Sequence, residues 1–314
     1  MTDAFRHSHQ FTLAYPVKLS GIGLHSGLQV QMTIEPAAAH SGIVFVRSDV
    51  AKEKARIAAS CQLVTDTRLG TTLTNSYGVS LSTVEHLMAA FWGLGVDNAR
   101  VIIDAAEVPV MDGSSQPFIE AIRTVGLKQQ SALRSYIKII KPLEQQIGES
   151  TLSIAPADQF SVDIDIEYNH RSIARQTAFY DFEEDDFETA LAEARTFGFL
   201  TEVEQLKKIG LARGGSLDNA IVLSEDAVLN AEGLRSTDEF VRHKALDCVG
   251  DLFLVGHRLI GAVKANKPGH TINNALARMI ISRPDAWTLV SAAPLLKNKA
   301  IVSPFRAAAD LQLA

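Results

Sequence analysis

The chain has 314 residues, enough for two domains of ordinary size, and 46% of them are hydrophobic, as is usual in soluble globular proteins. Its formal net charge of −6 argues against a general nucleic-acid binder. Residues 1–10 are polar and charged, and no uninterrupted apolar run reaches the length of a membrane span, so we expect neither a signal peptide nor a transmembrane segment.

An internal repeat indicates how the chain divides. Residues 33–46 and residues 153–166 have Ile, Pro, Ala and Ser at matching positions, at an offset of 120 residues (Ile34 to Ile154). Each stretch is typical of a strand, a Pro-containing turn and a second strand with alternating apolar positions. This order predicts two similarly built α+β domains, at residues 1–130 and 131–314, with a linker within residues 128–131.

In the first domain, the pattern predicts helices at residues 83–92 and 116–125, both ended by glycine, with a short apolar strand at 99–104 between them. The first helix carries Glu85 and His86 near its start, three and four residues after Ser82. Taken alone, Ser82-x-x-Glu85 fits an N-terminal capping box, in which the Glu85 carboxylate bonds to the backbone of Ser82. The alternative is that Glu85 and His86 belong to a polar site.

The second domain contains a segment of different character at about residues 196–222. An apolar stretch at 197–200 leads into a short amphipathic helix, a glycine-containing turn at 213–216 and a strand at 220–223. These elements predict an inserted β-α-β unit. Its small apolar face would ordinarily pack on its own domain, and the alternative is that it forms a wall for an apolar ligand.

A later helix, predicted for residues 236–256, carries His243, Asp247 and Asp251 four residues apart. On a helix they form one polar stripe about 80° wide on an otherwise apolar element. Taken alone, such a pair of histidine and aspartate is usually a surface ion pair. Burying these groups is costly unless they are paired or bind a metal. His86, His243 and one carboxylate of the stripe offer a suitable set of ligands for zinc, with one position left open for water. Glu85 would then be free to act as a base.

Several motifs together resemble a known family, the zinc-dependent UDP-3-O-acyl-N-acetylglucosamine deacetylases of lipid A biosynthesis. They occur in the family's order and extend from about residue 18 to the end of the chain. The motifs are residues 20–27 (SGIGLHSG), 82–87 (STVEHL), 110–114 (VMDGS), 194–199 (ARTFGF), 214–216 (GGS), 243–251 (HKALDCVGD) and 269–274 (GHTINN).

The resemblance implies two α+β domains, each a small sheet packed on helices, with the helices sandwiched between the two sheets and a β-α-β insertion in the second domain. It implies hydrolysis of the 2-acetamido group of UDP-3-O-(3-hydroxyacyl)-N-acetylglucosamine with release of acetate, the committed step of lipid A biosynthesis. The insertion would form a hydrophobic passage for the acyl chain. The protein would then act in the cytoplasm of a Gram-negative bacterium, and a reducing compartment also suits a chain with only two cysteines.

The resemblance also implies roles for individual residues. The zinc ligands would be His86, His243 and Asp247. The catalytic residues would be Glu85 as base, Thr196 as oxyanion donor and His270 as a cation oriented by Asp251. The substrate-binding residues would be Lys244, Phe197, Phe199, Gly215, Ser216 and Leu24. One departure is visible at Gly70, where some relatives carry a cysteine beside the site, so we do not expect this protein to require a thiol that contacts the metal.

Other interpretations stay open at this stage. The metal could be ferrous iron, since nitrogen and oxygen ligands accommodate both ions. The enzyme could act on another acylated sugar or on a peptide. The protein could also be a non-catalytic binding module in which zinc clamps two domains, although three ligands fall short of the four that usually close a structural zinc site. We expect a monomer that binds a UDP-linked acylated glucosamine.

Overall fold

The first half of the chain forms small sheets and two long helices in the computed structural model, which describes residues 8–292. The outer ends of the two expected domains, residues 1–7 and 293–314, lie outside the described residues. The elements are β1 (His9–Leu13), β2 (Val17–Ile22), β3 (Gln29–Pro36), β4 (Ile43–Arg47), β5 (Arg56–Ala58), a short 3-10 helix (Cys61–Leu63), β6 (Val64–Asp66), β7 (Thr72–Thr74), β8 (Ser80–Leu81), α1 (Glu85–Leu94), β9 (Ala99–Ile103), α2 (Gln116–Val125) and β10 (Leu127–Leu133). The largest sheet of this half has the strand order β2-β3-β9-β4-β5.

The second half forms a seven-stranded sheet whose central strand is β18 (Arg258–Asn266), and two further long helices that pack against each other and contact this sheet. The elements are β11 (Ser135–Ile139), β12 (Leu143–Ile147), β13 (Ser150–Ala155), β14 (Phe160–Glu167), β15 (Arg175–Asp181), a π-helical turn (Glu188–Ala192), β16 (Phe197–Phe199), α3 (Leu200–Lys208), β17 (Ile221–Leu223), α4 (Glu239–Phe253), β18 (Arg258–Asn266), α5 (His270–Ser282) and β19 (Trp287–Ser291). Strands β16 and β17 are parallel and α3 lies between them in sequence, which confirms the predicted β-α-β insertion.

The two halves share a strand arrangement that the internal repeat indicated. In the first half, β9 pairs antiparallel with β3 and parallel with β4. In the second half, β18 pairs antiparallel with β13 and parallel with β14. Burial alternates along β3, where Val30, Met32 and Ile34 face the core, because one face of this sheet is covered. The predicted α+β fold with two similar halves is confirmed.

The helices form a layer between the two sheets. Helix α2 contacts β2, α1 contacts α2 and α4, and α4 and α5 contact strands of the second sheet. All residues of α1 from Glu85 to Trp92 are buried, as expected of a helix that is covered on every side. A Cβ atom on Gly250 of α4 would lie 2.2 Å from the Glu85 carbonyl oxygen, so glycine at this position allows α1 and α4 to approach closely.

The expected linker at residues 128–131 is wrong, because these residues belong to strand β10, which pairs antiparallel with β1. We retain the division of the chain at about residue 130 as a proposal. Within residues 8–292, no helix combines the length and the apolar character needed to cross a membrane.

Candidate metal centre and active site

Helix α1 begins at Glu85 without a side-chain cap, so the capping-box alternative is wrong. The Glu85 Oε2 atom instead accepts a hydrogen bond of 2.9 Å from the backbone N–H of Thr71, and the Ser82 hydroxyl donates to the Ala106 carbonyl. Just before the helix, Thr83 has a φ of 59°, a left-handed conformation that is unfavourable for a β-branched residue. This strained turn places Glu85 and His86 in the first turn of a buried helix.

The side chains of His86, His243 and Asp247 converge where α1 meets α4. Each offers a ligand atom, and these atoms all lie within 4.8 Å of one another. The Oδ1 atom of Asp247 is 3.6 Å from His86 Nε2 and 3.3 Å from His243 Nε2. The three residues are at most 4% exposed.

The electrostatics of this cluster suit a cation. Burial lowers the pKa of His243 to about 3, and the neighbouring His86 and Lys244 act in the same direction, so the imidazole is neutral. The His243 Nδ1–H donates to the Ala194 carbonyl at 3.0 Å, which leaves Nε2 with a free lone pair. Burial opposes ionisation of Asp247, but the Lys244 ammonium and other nearby groups outweigh it and hold the pKa of Asp247 well below its usual range.

The donor set fits a divalent metal. Two imidazole nitrogens and one carboxylate oxygen are three ligands of the kind that catalytic zinc sites use. The Oδ1 atom of Asp247 is buried and has no hydrogen-bond partner within residues 8–292, which would be costly for a carboxylate unless a cation satisfied it. His86, His243 and Asp247 could therefore hold a metal ion.

Two further carboxylates and a histidine lie beside the cluster. His270, the first residue of α5, donates from Nδ1 to Asp251 Oδ2 at 2.8 Å, and its Nε2 lies 4.0 Å from Glu85 Oε1. Burial opposes the charged form of His270, but Asp251 and Asp247 outweigh burial and raise the pKa of His270 to about 9. Burial raises the pKa of Glu85, although His270 and His86 oppose the rise. The site thus combines a protonated imidazole with a carboxylate that is not needed as a metal ligand.

Lys244 and two phenylalanines border the cluster. The Lys244 amine donates to Asp247 Oδ2 at 2.9 Å and lies 5.4 Å from the centroid of the Phe197 ring. Phe199 is two residues further along β16, half-buried, with its ring 5.6 Å from that of His170. The structure therefore brings Lys244 and Phe197 to the metal cluster, and places Phe199 two residues further along the insertion.

The remaining predicted site residues lie on the insertion, except Leu24, which lies in the loop after β2. Thr196 is fixed by backbone hydrogen bonds to Gly113 and Ile221, both 2.8 Å long, at the start of this segment. At its turn, the Leu24 side chain is 3.6 Å from the position that a Cβ atom on Gly215 would occupy. The backbone N–H of Ser216 donates to the side chain of Asn219 at 2.9 Å. Leu24 and Gly215 therefore meet, although they come from opposite halves of the chain.

Sequence reasoning missed a contribution from Thr71. This residue is fully buried and bonds to both Glu85 and Asp251. The hydrogen bond to Glu85 comes from the Thr71 backbone, which no side-chain pattern reveals. The neighbouring Gly70 could have given a signal, because a Cβ atom there would lie 2.9 Å from Glu85 Oε1. Position 70 therefore faces the carboxylate of Glu85.

A buried cluster of two histidines and one aspartate, next to a spare glutamate in an α+β fold, is the arrangement of a metal-dependent hydrolase. Residues 10–282 match the family model described as UDP-3-O-acyl N-acetylglycosamine deacetylase. The chain belongs to this family, and it is therefore a hydrolase that acts on an amide.

Three relatives agree with the family match, and all three are named UDP-3-O-acyl-N-acetylglucosamine deacetylase. The relative from Phenylobacterium zucineum is 47% identical over 278 residues, which cover 88% of this chain and 95% of the relative. The relative from Shewanella loihica is 45% identical over 284 residues, covering 90% and 92%. That from Citrifermentans bemidjiense is 46% identical over 289 residues, covering 92% and 94%.

Proposed function

We propose that this protein is a zinc-dependent enzyme that hydrolyses the 2-acetamido group of UDP-3-O-(3-hydroxyacyl)-N-acetylglucosamine and releases acetate. The observation that carries the proposal is the buried cluster of His86, His243 and Asp247 with the Glu85 carboxylate beside it. The names of the relatives support the class of substrate. From the family resemblance we further propose that the reaction is the committed step of lipid A biosynthesis.

In this proposal His86, His243 and Asp247 hold the metal. A bound zinc ion lowers the pKa of water and polarises a carbonyl group. Ferrous iron would suit the same ligands, since both ions accept nitrogen and oxygen donors. The hydrogen bond from His243 Nδ1 to the Ala194 carbonyl, 3.0 Å long, fixes the ring so that Nε2 points at Asp247.

Amide hydrolysis requires a group that takes a proton from water and a group that returns one to the leaving nitrogen. Glu85 takes the proton as the water oxygen bonds to the acetyl carbon, and the Thr71 N–H holds this carboxylate in place. The bond between the acetyl carbon and nitrogen then breaks, and the nitrogen accepts a proton and leaves as the free amine. His270 lies 4.0 Å from Glu85, and its protonated ring faces the developing negative charge and supplies the proton.

Other side chains are assigned to the substrate. Thr196 is proposed as a hydrogen-bond donor to the oxyanion, and its rigid backbone suits a preorganised donor. Lys244, on the edge of the cluster, is proposed to contact the polar part of the substrate. The insertion is proposed to line the acyl passage, with contributions from Phe197, Phe199, Leu24, Gly215 and Ser216.

Location and oligomeric state are also proposals. We place the protein in the cytoplasm, and two free, buried cysteines, Cys61 and Cys248, are consistent with a reducing compartment. We also propose that it acts as a monomer.

The test is release of acetate by the purified protein from the UDP-linked acylated sugar. We expect turnover to stop after treatment with a chelator and to return when zinc is added. UDP-N-acetylglucosamine, which lacks the acyl chain, is the matched control substrate and should be turned over far more slowly. Turnover that persisted in a demonstrably metal-free protein would overturn the proposed function.

A further inference from the structure

Thr71 connects the two halves of the site through two different groups. Its backbone N–H donates to Glu85 Oε2 at 2.9 Å, and its hydroxyl donates to Asp251 Oδ1 at 2.5 Å. Glu85 is 14 residues away in sequence and Asp251 is 180 residues away. Thr71 is fully buried, with 0% of its surface exposed. A single residue between β6 and β7 therefore contacts carboxylates on both α1 and α4.

These contacts form part of a closed circuit of polar groups. From Asp251 the circuit continues to His270, whose Nδ1 donates to Oδ2 at 2.8 Å. The Nε2 atom of His270 lies 4.0 Å from Glu85 Oε1, which closes the circuit. Asn273 also donates to Asp251 Oδ2 at 2.9 Å. The Oδ1 atom of Asp251 receives a hydrogen bond from Thr71 alone among residues 8–292.

We propose that Thr71 is a positioning residue, whose hydroxyl fixes the Asp251 carboxylate and through it the ring of His270 relative to Glu85. Asp251 is 1% exposed, so water cannot readily replace a lost donor. Without the hydroxyl, the carboxylate is held at one oxygen only and can rotate about that contact. A displaced His270 would be poorly aligned with the substrate group on which Glu85 and His270 both act. The inference rests on the proposed function for its catalytic consequence and on geometry for the positioning itself.

The variant that isolates this role is Thr71→Val, which keeps the shape of the side chain and the N–H to Glu85 but removes the hydroxyl. Thr71→Ser keeps the hydroxyl and should restore the function. Thr72→Val is the matched control, one residue along the chain, because the Thr72 hydroxyl has no protein hydrogen-bond partner among residues 8–292. Should Thr71→Val fail to fold, Thr71→Cys replaces it, since a thiol is a weak donor and predicts an intermediate effect.

The first measurement is steady-state kinetics of the metal-loaded variants. We expect Thr71→Val to lower kcat by about tenfold to a hundredfold while KM stays within about twofold, because alignment and not binding is lost. Thr71→Ser and Thr72→Val should stay close to wild type. The effect of Thr71→Val should also disappear in an Asp251→Ala background, since the hydroxyl acts through that carboxylate. Equal loss in Thr71→Ser and Thr71→Val, or full additivity with Asp251→Ala, would overturn the inference.

The second measurement does not depend on turnover. In protein labelled with 15N-histidine, the His270 Nδ1 proton should exchange slowly with water in wild type and Thr71→Ser, and about tenfold faster in Thr71→Val. Equal exchange in all three proteins would overturn the inference. If wild type released no acetate but exchange still separated the variants in this order, the proposed function would fail and the positioning role of Thr71 would stand.

Discussion

Gly214 lies so close to Gly23 that a Cβ atom on Gly214 would be 2.2 Å from the Gly23 carbonyl oxygen. The backbone N–H of Gly214 donates to the Leu24 carbonyl at 3.0 Å, and that of Arg213 donates to the His25 carbonyl at 3.2 Å. Backbone hydrogen bonds therefore hold the turn of the insertion against the loop that follows β2. A side chain at position 214 has no room unless these two segments separate.

Gly214→Ala should lower the free energy of unfolding by about 1–3 kcal/mol, because the added methyl group meets backbone atoms that cannot rotate away. Under the proposed function it should also raise KM for the acylated substrate. Gly215→Ala is the matched control, since its Cβ would lie 3.4 Å from the Ala212 carbonyl oxygen, a distance of ordinary contact. Chemical denaturation of both variants checks the prediction. An equal loss of stability in the two would contradict it.

Replacing His243 by Ala should remove most of the bound metal and most of the activity together, because only two ligands would be left. Metal content per chain, measured by mass spectrometry of the element, checks this expectation. The increase in Tm that zinc gives to the apoprotein should likewise be lost. The matched variant is Asp251→Asn, on the same face of α4, which should retain its metal. Full metal content and turnover in His243→Ala would show that the ligand assignment is wrong.

The stripe of His243, Asp247 and Asp251 could be predicted from sequence, but the division of labour within it could not. Successive members are rotated by about 40° and advance about 6 Å along the helix axis. Asp247 consequently faces His86, whereas Asp251 reaches Thr71 and His270. Helix periodicity identifies the face, and only the packing of α4 against other elements decides which carboxylate meets which partner.

Two expectations were wrong because contacts with residues distant in the sequence determine the structure at these positions. The polar character of residues 128–131 predicts a linker. In the structure these residues belong to β10, which pairs with β1, a strand more than a hundred residues earlier in the sequence. Ser82-x-x-Glu85 has the pattern of a capping box, but the Glu85 carboxylate accepts a hydrogen bond from the buried N–H of Thr71 instead. Local patterns could not reveal either outcome, since the same residues satisfy both alternatives.

Glu85→Gln should fold and retain its metal. Its kcat should fall by a factor of about 10²–10⁴, because the amide cannot take a proton from water. The amide oxygen can still accept the hydrogen bond from Thr71, so we expect little change in stability. Acetate release under single-turnover conditions, with metal content and Tm measured on the same preparation, checks the prediction. A variant with wild-type kcat per folded molecule would show that another group serves as the base.

Shortening the acyl chain by four carbons should lower kcat/KM by about two powers of ten, since each buried methylene contributes roughly 0.8 kcal/mol. A bulky residue in the insertion turn, as in Ser216→Trp, should penalise long chains more than short ones. An acyl-free UDP-sugar analogue serves as the control, and its binding should be unaffected. Equal effects of Ser216→Trp on the long-chain substrate and on this analogue would contradict the assignment of the passage.

The pH dependence of kcat/KM should have two limbs, and the alkaline one should depend on His270. The proposed mechanism requires His270 to be protonated and Glu85 to be ionised. Burial opposes the charge on His270, but Asp251 and Asp247 raise its pKa to about 9, so the active form persists through neutral pH and is lost as the pH rises through that value. Burial raises the pKa of Glu85, so activity falls on the acidic side as that carboxylate becomes protonated.

Three proteins separate this assignment from one in which the metal centre alone sets the alkaline limb. In Asp251→Asn the anion that hydrogen-bonds to His270 at 2.8 Å is gone, so the pKa of His270 falls and the alkaline limb should move to lower pH. In His270→Ala the limb should flatten, because the group that titrates is missing. Profiles of kcat/KM for wild type and both variants, each loaded with zinc and checked for metal content, provide the measurement. If the alkaline limb stays in place in both variants, the ionisation belongs to the metal centre and His270 serves only to bind the substrate.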